Sequence, residues 1–296
     1  MKRMFTGGAL GALAARTAYS TFTRRPPAPV RNKDADVWGR VNHRGEQVTL
    51  LEGPAVVVGA ALGGLLTPGL SPRMRAAALL AGVGSGLLGG YDDLAGSASS
   101  KGFKGHLGAL ARGQLTSGGV KLLGIGATGL AAAALARSRR HNALDVLANG
   151  AILAGSANLM NLLDLRPGRA IKAGLIAGTP LALASSAAAA IVAAPLGAAA
   201  ALLPEDLRER AMLGDAGANA LGALLGLATT TLGRGGRLAV LTGLVALNGA
   251  SEFVSFTKVI QRTPLLHRLD MLGRRPPHTS GAEASEGAGR AAHPAQ

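Results

Sequence analysis

Charge is distributed along this chain in blocks. The segments 51–69, 74–91, 113–136, 143–163, 170–203, 212–232 and 237–254 are nearly free of charged side chains, and the charges gather in the short stretches between them. Most of these runs reach the ~18–20 residues that cross ~30 Å of hydrocarbon at 1.5 Å per residue. They are apolar all round, where a soluble helix would show an apolar stripe and a polar face. An Ala-rich soluble bundle is the competing reading, and the apolar fraction of 48% does not by itself separate the two.

The resulting map is an all-α, polytopic membrane helix bundle of about nine spans. These lie at about 5–22, 51–69, 74–91, 113–136, 143–163, 170–186, 187–203, 212–232 and 237–254, with only a weak Ser185-Ser186 break between the sixth and seventh. Met1-Lys2-Arg3 before a small-residue run mimics a signal peptide, but no cleavage site stands out and 5–22 is read as a span. Residues 1–273 form the membrane domain, and the Pro-, Gly-, Ala- and His-rich stretch 274–296 is expected to be a disordered tail. The 44 glycines fit close helix packing in lipid, with small-xxx-small spacings at Gly82/Gly86/Gly90 and Gly222/Gly226. With no cysteine, disulfides, thiol nucleophiles and thiolate metal sites are excluded.

An outside N-terminus places 23–50, 92–112, 164–172, 204–211 and everything from 255 in the cytoplasm. About 20 of the 31 Lys/Arg residues then face inward, against about 9 outside. Arg137, Arg139, Arg140, Lys2 and Arg3 run against that sign. The net charge of +15 thus sits beside apolar spans, where it serves orientation and anionic-lipid contact, and no nucleic acid is expected as partner.

Four polar clusters share the expected cytoplasmic face. Asp92-Asp93 close the third span, where two adjacent carboxylates oppose the helix dipole and repel each other. Lys121 lies about two turns into the fourth span, where an ammonium snorkels or meets an anion. Asn158, Asn161 and Asp164 close the fifth span at three-residue spacing, suited to a hydrated metal–phosphate site. Arg166, Arg169 and Lys172 follow, as phosphate partners or as membrane anchors. Asp215 and Asn219 open the eighth span four residues apart, on one face, with Gly214 and Gly217 leaving room for another group. The intervening PEDLRER stretch, with Glu205 and Asp206, reads as a solvated turn. Ionisable groups at span ends on one face argue against a transporter, which more often places them near the midplane.

GYDD at 90–93, NLMNLLD at 158–164 and LGDAGANALG at 213–222 resemble, in order and spacing, motifs of the polyprenyl-phosphate N-acetylhexosamine-1-phosphate transferases. The resemblance covers roughly 38–260, and the loop NHRGEQVTLLEGP is similar to that family's basic loop before a Gly-marked second span. It implies Mg²⁺-dependent transfer of a phospho-sugar from a UDP-sugar to polyprenyl phosphate, with UMP released, in bacterial cell-envelope glycan synthesis at the inner (plasma) membrane. Carried over, Asp92, Asp93 and Asp164 are the catalytic carboxylates, and Asp215 with Asp164 holds Mg²⁺. Lys121, Asn158, Asn161, Asn219, Lys258, Arg262 and His267 are the implied substrate contacts, with a homodimer left open. Asn161 and Leu162 stand where the family pattern has Asp and Gly, and His267 stands alone where many members carry a His cluster. The alternative is a non-catalytic relative that binds polyprenyl phosphate or scaffolds envelope enzymes.

Overall fold

The computed structural model describes residues 2–27, 37–95, 116–139 and 141–276. The expected loop beyond Ala95, residues 113–115 of the fourth run and the tail from residue 277 lie outside them. The described residues are almost entirely helical. Helix α1 (Lys2–Arg24) precedes a small antiparallel hairpin, β1 (Gly39–Val41) and β2 (Gln47–Thr49), inside what reads in the sequence as a loop. The third run is one rod: α3 (Pro72–Leu79), a π-helical turn at Leu80–Gly84, and α4 (Ser85–Ala95). Around it come α2 (Glu52–Leu66), α5 (Ser117–Leu135), α6 (Ala143–Leu163), α7 (Arg169–Ala184), α8 (Ser186–Leu207), α9 (Gly214–Thr229) and α10 (Arg234–Ser251). Two short helices end the described chain, α11 (Phe256–Arg262) and α12 (Pro264–Met271).

Local chemistry sets the helix starts. Ser71 and Thr116 cap α3 and α5 by accepting from Met74 N and Gly119 N, and Pro72 sits in the first turn of α3 where its missing N–H costs nothing. Asn142 and Asp145 form a reciprocal capping box on α6. Ser185 is extended (φ −159°, ψ 155°), so one residue breaks α7 from α8 while its Oγ accepts from Ala188 N. The weak Ser break in the sequence is thus a real helix boundary.

Helix α9 is the axis of the bundle. All its residues except Asp215 are buried, and α2, α4, α6, α7 and α8 pack around it. Such close approach needs missing side chains: a Cβ on Gly222 would strike the Ser156 carbonyl of α6, and one on Gly89 would strike the Asp215 carbonyl. The outer surface, by contrast, carries exposed Leu66, Leu87, Leu123, Leu147, Ile176 and Leu183. Apolar exposure on that scale fits contact with hydrocarbon and not with water.

Among the described residues three helices, α5, α6 and α8, are long and apolar enough to cross a membrane. A fourth qualifies if α10 and α11, bent by 99°, are one broken span. Helix α2 is apolar but has only 15 residues, and α9 has 16, about 24 Å of rise. The helices follow the expected runs, yet nine full-length spans are not shown, because several helices stop short of the apolar stretches that contain them.

Candidate functional site

The C-terminal end of α4, the first turns of α5, the end of α6 and the start of α9 meet at one point. Gly89 makes the meeting possible, because its missing Cβ lets α4 lie against the Asp215 carbonyl. There Lys121 stands between two carboxylates: its Nζ lies 2.7 Å from Asp92 Oδ2 and also donates to Asp215 Oδ2. Asn161 completes the group when its amide is assigned by its neighbours' donors and acceptors: the nitrogen then donates to Asp215 Oδ1 at 2.7 Å and the oxygen accepts from Lys121 Nζ at 3.2 Å. The ammonium therefore has three oxygen partners at a site that keeps some contact with solvent. Side-chain exposure is 15% for Lys121, 16% for Asp92 and 25% for Asp215, which leaves an incoming anion able to reach the lysine.

Asp93 faces the other way. Its Oδ1 and Oδ2 accept the backbone N–H groups of Asp215 (3.1 Å) and Ala216 (3.0 Å), so it caps the N-terminus of α9 from another helix. Two of that terminus's unpaired donors are thereby satisfied, at the positive end of the dipole. Gly214 beside it is left-handed (φ 62°), and a Cβ there would press on both Leu50 and Asp93. Arg40 of β1 donates to the Asp93 carbonyl and to the Gly39 carbonyl at 2.6 Å, fixing the hairpin against the end of α4.

The other residues carried over from the resemblance separate from this group. Asn219 is buried and donates to the Asp215 carbonyl of its own helix at 2.8 Å. Asn158 donates to Asn248 Oδ1 of α10 at 2.7 Å, and Asn248 in turn donates to the Gly155 and Leu244 carbonyls. Asp164 lies one step away, at the C-terminus of α6, where its backbone N–H donates to the Asn161 carbonyl at 3.1 Å. Lys258, Arg262 and His267 are on the exposed side of α11 and α12, with no hydrogen bond to the Lys121 cluster among the described residues. These two helices are tied down instead by Asp270. It is buried and accepts from Arg169 Nε (2.7 Å) and Nη2 (3.1 Å) and from Arg274 Nη1 (2.8 Å), while Lys172 Nζ donates to the Leu269 and Leu272 carbonyls. Beside the tie runs an apolar groove of about 490 Å³, walled by Leu159, Leu163, Ile176, Leu247 and Ile260, with Arg169 and Lys172 in its lining.

The PEDLRER stretch is not a solvated turn. Helix α8 continues to Leu207, Asp206 is buried in its last turn, and Glu209 just beyond is buried at φ 58°. Glu209 is held there by Asn42 Nδ2 and Arg44 Nε, each at 2.8 Å, from the hairpin. Only Glu205 keeps surface partners, Arg16 (2.8 Å) and Arg210 (3.0 Å). Glu52, opening α2, was not singled out in the sequence either. It is fully buried, and its one signal is a carboxylate at the head of an otherwise apolar run.

Among the described residues no three His, Asp or Glu side chains are grouped to hold a metal ion. Asp164 and Asp215 offer the hard oxygens that Mg²⁺ takes. Asp164 carries no cationic side-chain partner among the described residues, whereas Asp215 already has Lys121 on one oxygen and Asn161 on the other. A metal fits the first freely and the second only by sharing. No protein-family model matches this chain, and no curated protein matches it.

Proposed function

We propose that this chain is an integral membrane transferase of about nine spans, moving a phospho-sugar from a UDP-sugar to polyprenyl phosphate at its cytoplasmic face. The observation that carries this reading is the convergence of Asp92, Lys121, Asn161 and Asp215 from four apolar helices onto one partly open point. An ammonium between two carboxylates can exchange one of them for a phosphate oxygen, and a divalent cation would compensate the carboxylate so released. The apolar groove with Arg169 and Lys172 in its lining suits a lipid tail whose phosphate lies near basic side chains.

In this mechanism a polyprenyl phosphate oxygen attacks the sugar-bearing phosphorus of the donor. The bond from that phosphorus to the bridging oxygen breaks, and UMP leaves with the electron pair. Lys121 holds a non-bridging oxygen, Asp92 takes the proton of a monoprotonated lipid phosphate, and Asn161 orients Asp215. Asp93 acts as a positioning residue, because both its oxygens are spent on the backbone of α9. Asp164 with Asp215 would hold Mg²⁺, which supplies neutralisation of the diphosphate charge. Lys258, Arg262 and His267 would reach the donor from the exposed side of α11 and α12.

The test is Mg²⁺-dependent UMP release by detergent-solubilised protein with a panel of UDP-sugars. Asp215→Asn keeps the size and removes the charge, so turnover should fall at least ~100-fold with folding intact. Metal-dependent turnover that survives Asp215→Asn removes the metal assignment. Polyprenyl phosphate binding without turnover on any donor favours the non-catalytic relative, which would use the same Lys121 cluster for the lipid phosphate alone.

A further inference from the structure

The outward face of α1 changes chemistry partway along its length. Phe5 and Leu13 are 80% and 67% exposed on it. From Leu13 onward, Thr17, Ser20 and Arg24 recur at the three- and four-residue spacing of one helix face, and all three are exposed. Thr17, Ser20 and Arg24 line an open recess of about 560 Å³ with Arg16, Thr21 and Arg25. Arg16 sets its depth. Its Nη1 donates to Glu205 Oε1 at 2.8 Å, and Glu205 stands in the last turn of α8, a helix long and apolar enough to cross a membrane. Asp206, the next residue, lines a small cavity with Asp164, so the recess lies at the end of the bundle that carries the Lys121 cluster.

The polar groups of the recess divide into spent and unspent. Arg16 is spent on Glu205. Thr21 turns its hydroxyl back onto the Thr17 carbonyl, and Thr23 onto that of Tyr19. Among the described residues, Arg24 and Arg25 pair with no carboxylate, and the Thr17 and Ser20 hydroxyls make no hydrogen bond. Two free guanidiniums with two free hydroxyls suit the oxygens of a phosphate. A soluble phosphate would have no use for Leu13 and Phe5 on the same face. A phospholipid has, because its acyl chains run along the apolar stretch while its headgroup meets the basic one.

We propose that this face of α1 holds one anionic phospholipid, with its phosphate on Arg24, Arg25, Ser20 and Thr17 and an acyl chain along Leu13 toward Phe5. The site rests on the bundle lying in a bilayer and is independent of the transfer reading.

The chain has no cysteine, so Leu13→Cys accepts a single fluorophore beside the expected acyl chain. The labelled full chain is placed in phosphatidylcholine nanodiscs that carry a minor fraction of brominated phosphatidylglycerol or, in the reference, brominated phosphatidylcholine. A basic side chain near an anionic surface contributes about a fivefold factor, so quenching should report phosphatidylglycerol enriched by roughly 25-fold. Arg24→Gln and Arg25→Gln should each lower the enrichment about fivefold, and together bring it to the phosphatidylcholine level. Ser20→Ala keeps the charge and should lower it about twofold or more. Arg208→Gln removes an exposed arginine at the same end and should leave it unchanged. No preference for phosphatidylglycerol in the labelled chain overturns the proposal. So does an equal loss in Arg208→Gln, which makes the attraction a property of the whole basic face. Unchanged enrichment in Ser20→Ala reduces the recess to two surface charges and removes the site. Inorganic phosphate that displaces the brominated lipid at constant ionic strength assigns the recess to the free anion and overturns the lipid.

Discussion

Two acidic regions lie side by side at one end of this bundle and solve the same problem differently. Around Lys121, two carboxylates share one ammonium and one amide, so each carboxylate has a donor from within the chain. Around Asp206, three carboxylates face a small space, and the bases near them are committed to other partners. The first region is complete as it stands and keeps an opening to solvent. In the second, Asp206 Oδ2 is buried with no hydrogen-bond partner. Residue type alone does not separate the two, since both are Asp residues at helix ends. What separates them is where the nearest lysine or arginine has been spent.

The largest effect should follow from removing the cation of the Lys121 region. Lys121→Met leaves Asp92 and Asp215 facing each other with no positive charge between them. Breaking a fully buried pair costs about 3–5 kcal/mol; here 15–25% exposure lets water compensate part of that, so about 2 kcal/mol is expected. On the proposed transfer, in which this lysine holds a phosphate oxygen, UMP release should fall at least ~100-fold. Denaturant unfolding in detergent and the UMP assay read the two effects separately. A Lys121→Met protein as stable and active as wild type would erase the contrast between the regions.

How far these regions can be read from the sequence follows the same divide. Lys121 stands out because a charge inside an apolar run is conspicuous, and the Asp92 and Asp215 motifs sit at run ends where a partner is easily imagined. Asp206 does not stand out, since PEDLRER has the composition of a turn. Its burial comes from contacts far away in the chain: the hairpin side chains Asn42 and Arg44 hold Glu209, three residues on. Asn158 shows the reverse error. The three-residue spacing places it beside Asn161 on one helix, yet its partner is Asn248, ninety residues on. Periodicity gives the face of a helix but not which neighbour that face meets. The helix positions were legible because they depend on local composition; where each helix stops was not, because caps such as Ser185 rest on one residue and the break between α10 and α11 on four.

A smaller effect tests whether the spent bases really are unavailable to the acidic pocket. Burial works against ionisation of Asp270, but the hydrogen bonds and charges of Arg169 and Arg274, with Lys172 nearby, outweigh it and hold its carboxyl below the usual range. A carboxyl lowered in the folded state contributes stability above its unfolded pKa, and loses it as pH falls through the lower folded value. The tie should therefore hold from neutral pH down to about 5 and loosen only below about 4. A cysteine at Leu272 should label slowly above that point and faster below it. Asp270→Asn should give fast labelling at pH 7, because Arg169 and Arg274 lose the carboxylate that holds them to α12. Labelling that rises between pH 8 and 6 would mean that another group controls the tie.

The smallest effect concerns Asn158, which the family resemblance assigns to substrate and the structure pairs with Asn248. A neutral amide pair contributes about 1 kcal/mol net, and interhelical hydrogen bonds in membrane proteins average about 0.6 kcal/mol in double-mutant cycles. Asn158→Ala, Asn248→Ala and the double variant should therefore show a coupling near that value in unfolding free energy. Each single change leaves the other amide without this partner, but Asn248 retains the Gly155 and Leu244 carbonyls, so Asn158→Ala should be the milder of the two for local packing. If Asn158 acts only as a tie between α6 and α10, both variants should lower UMP release by the same small factor, under about tenfold, with the donor KM unchanged. If Asn158 touches the donor, its variant alone should raise KM while Asn248→Ala leaves it untouched. That split would extend the Lys121 region by one residue toward α10 and move the boundary between the two polar regions accordingly.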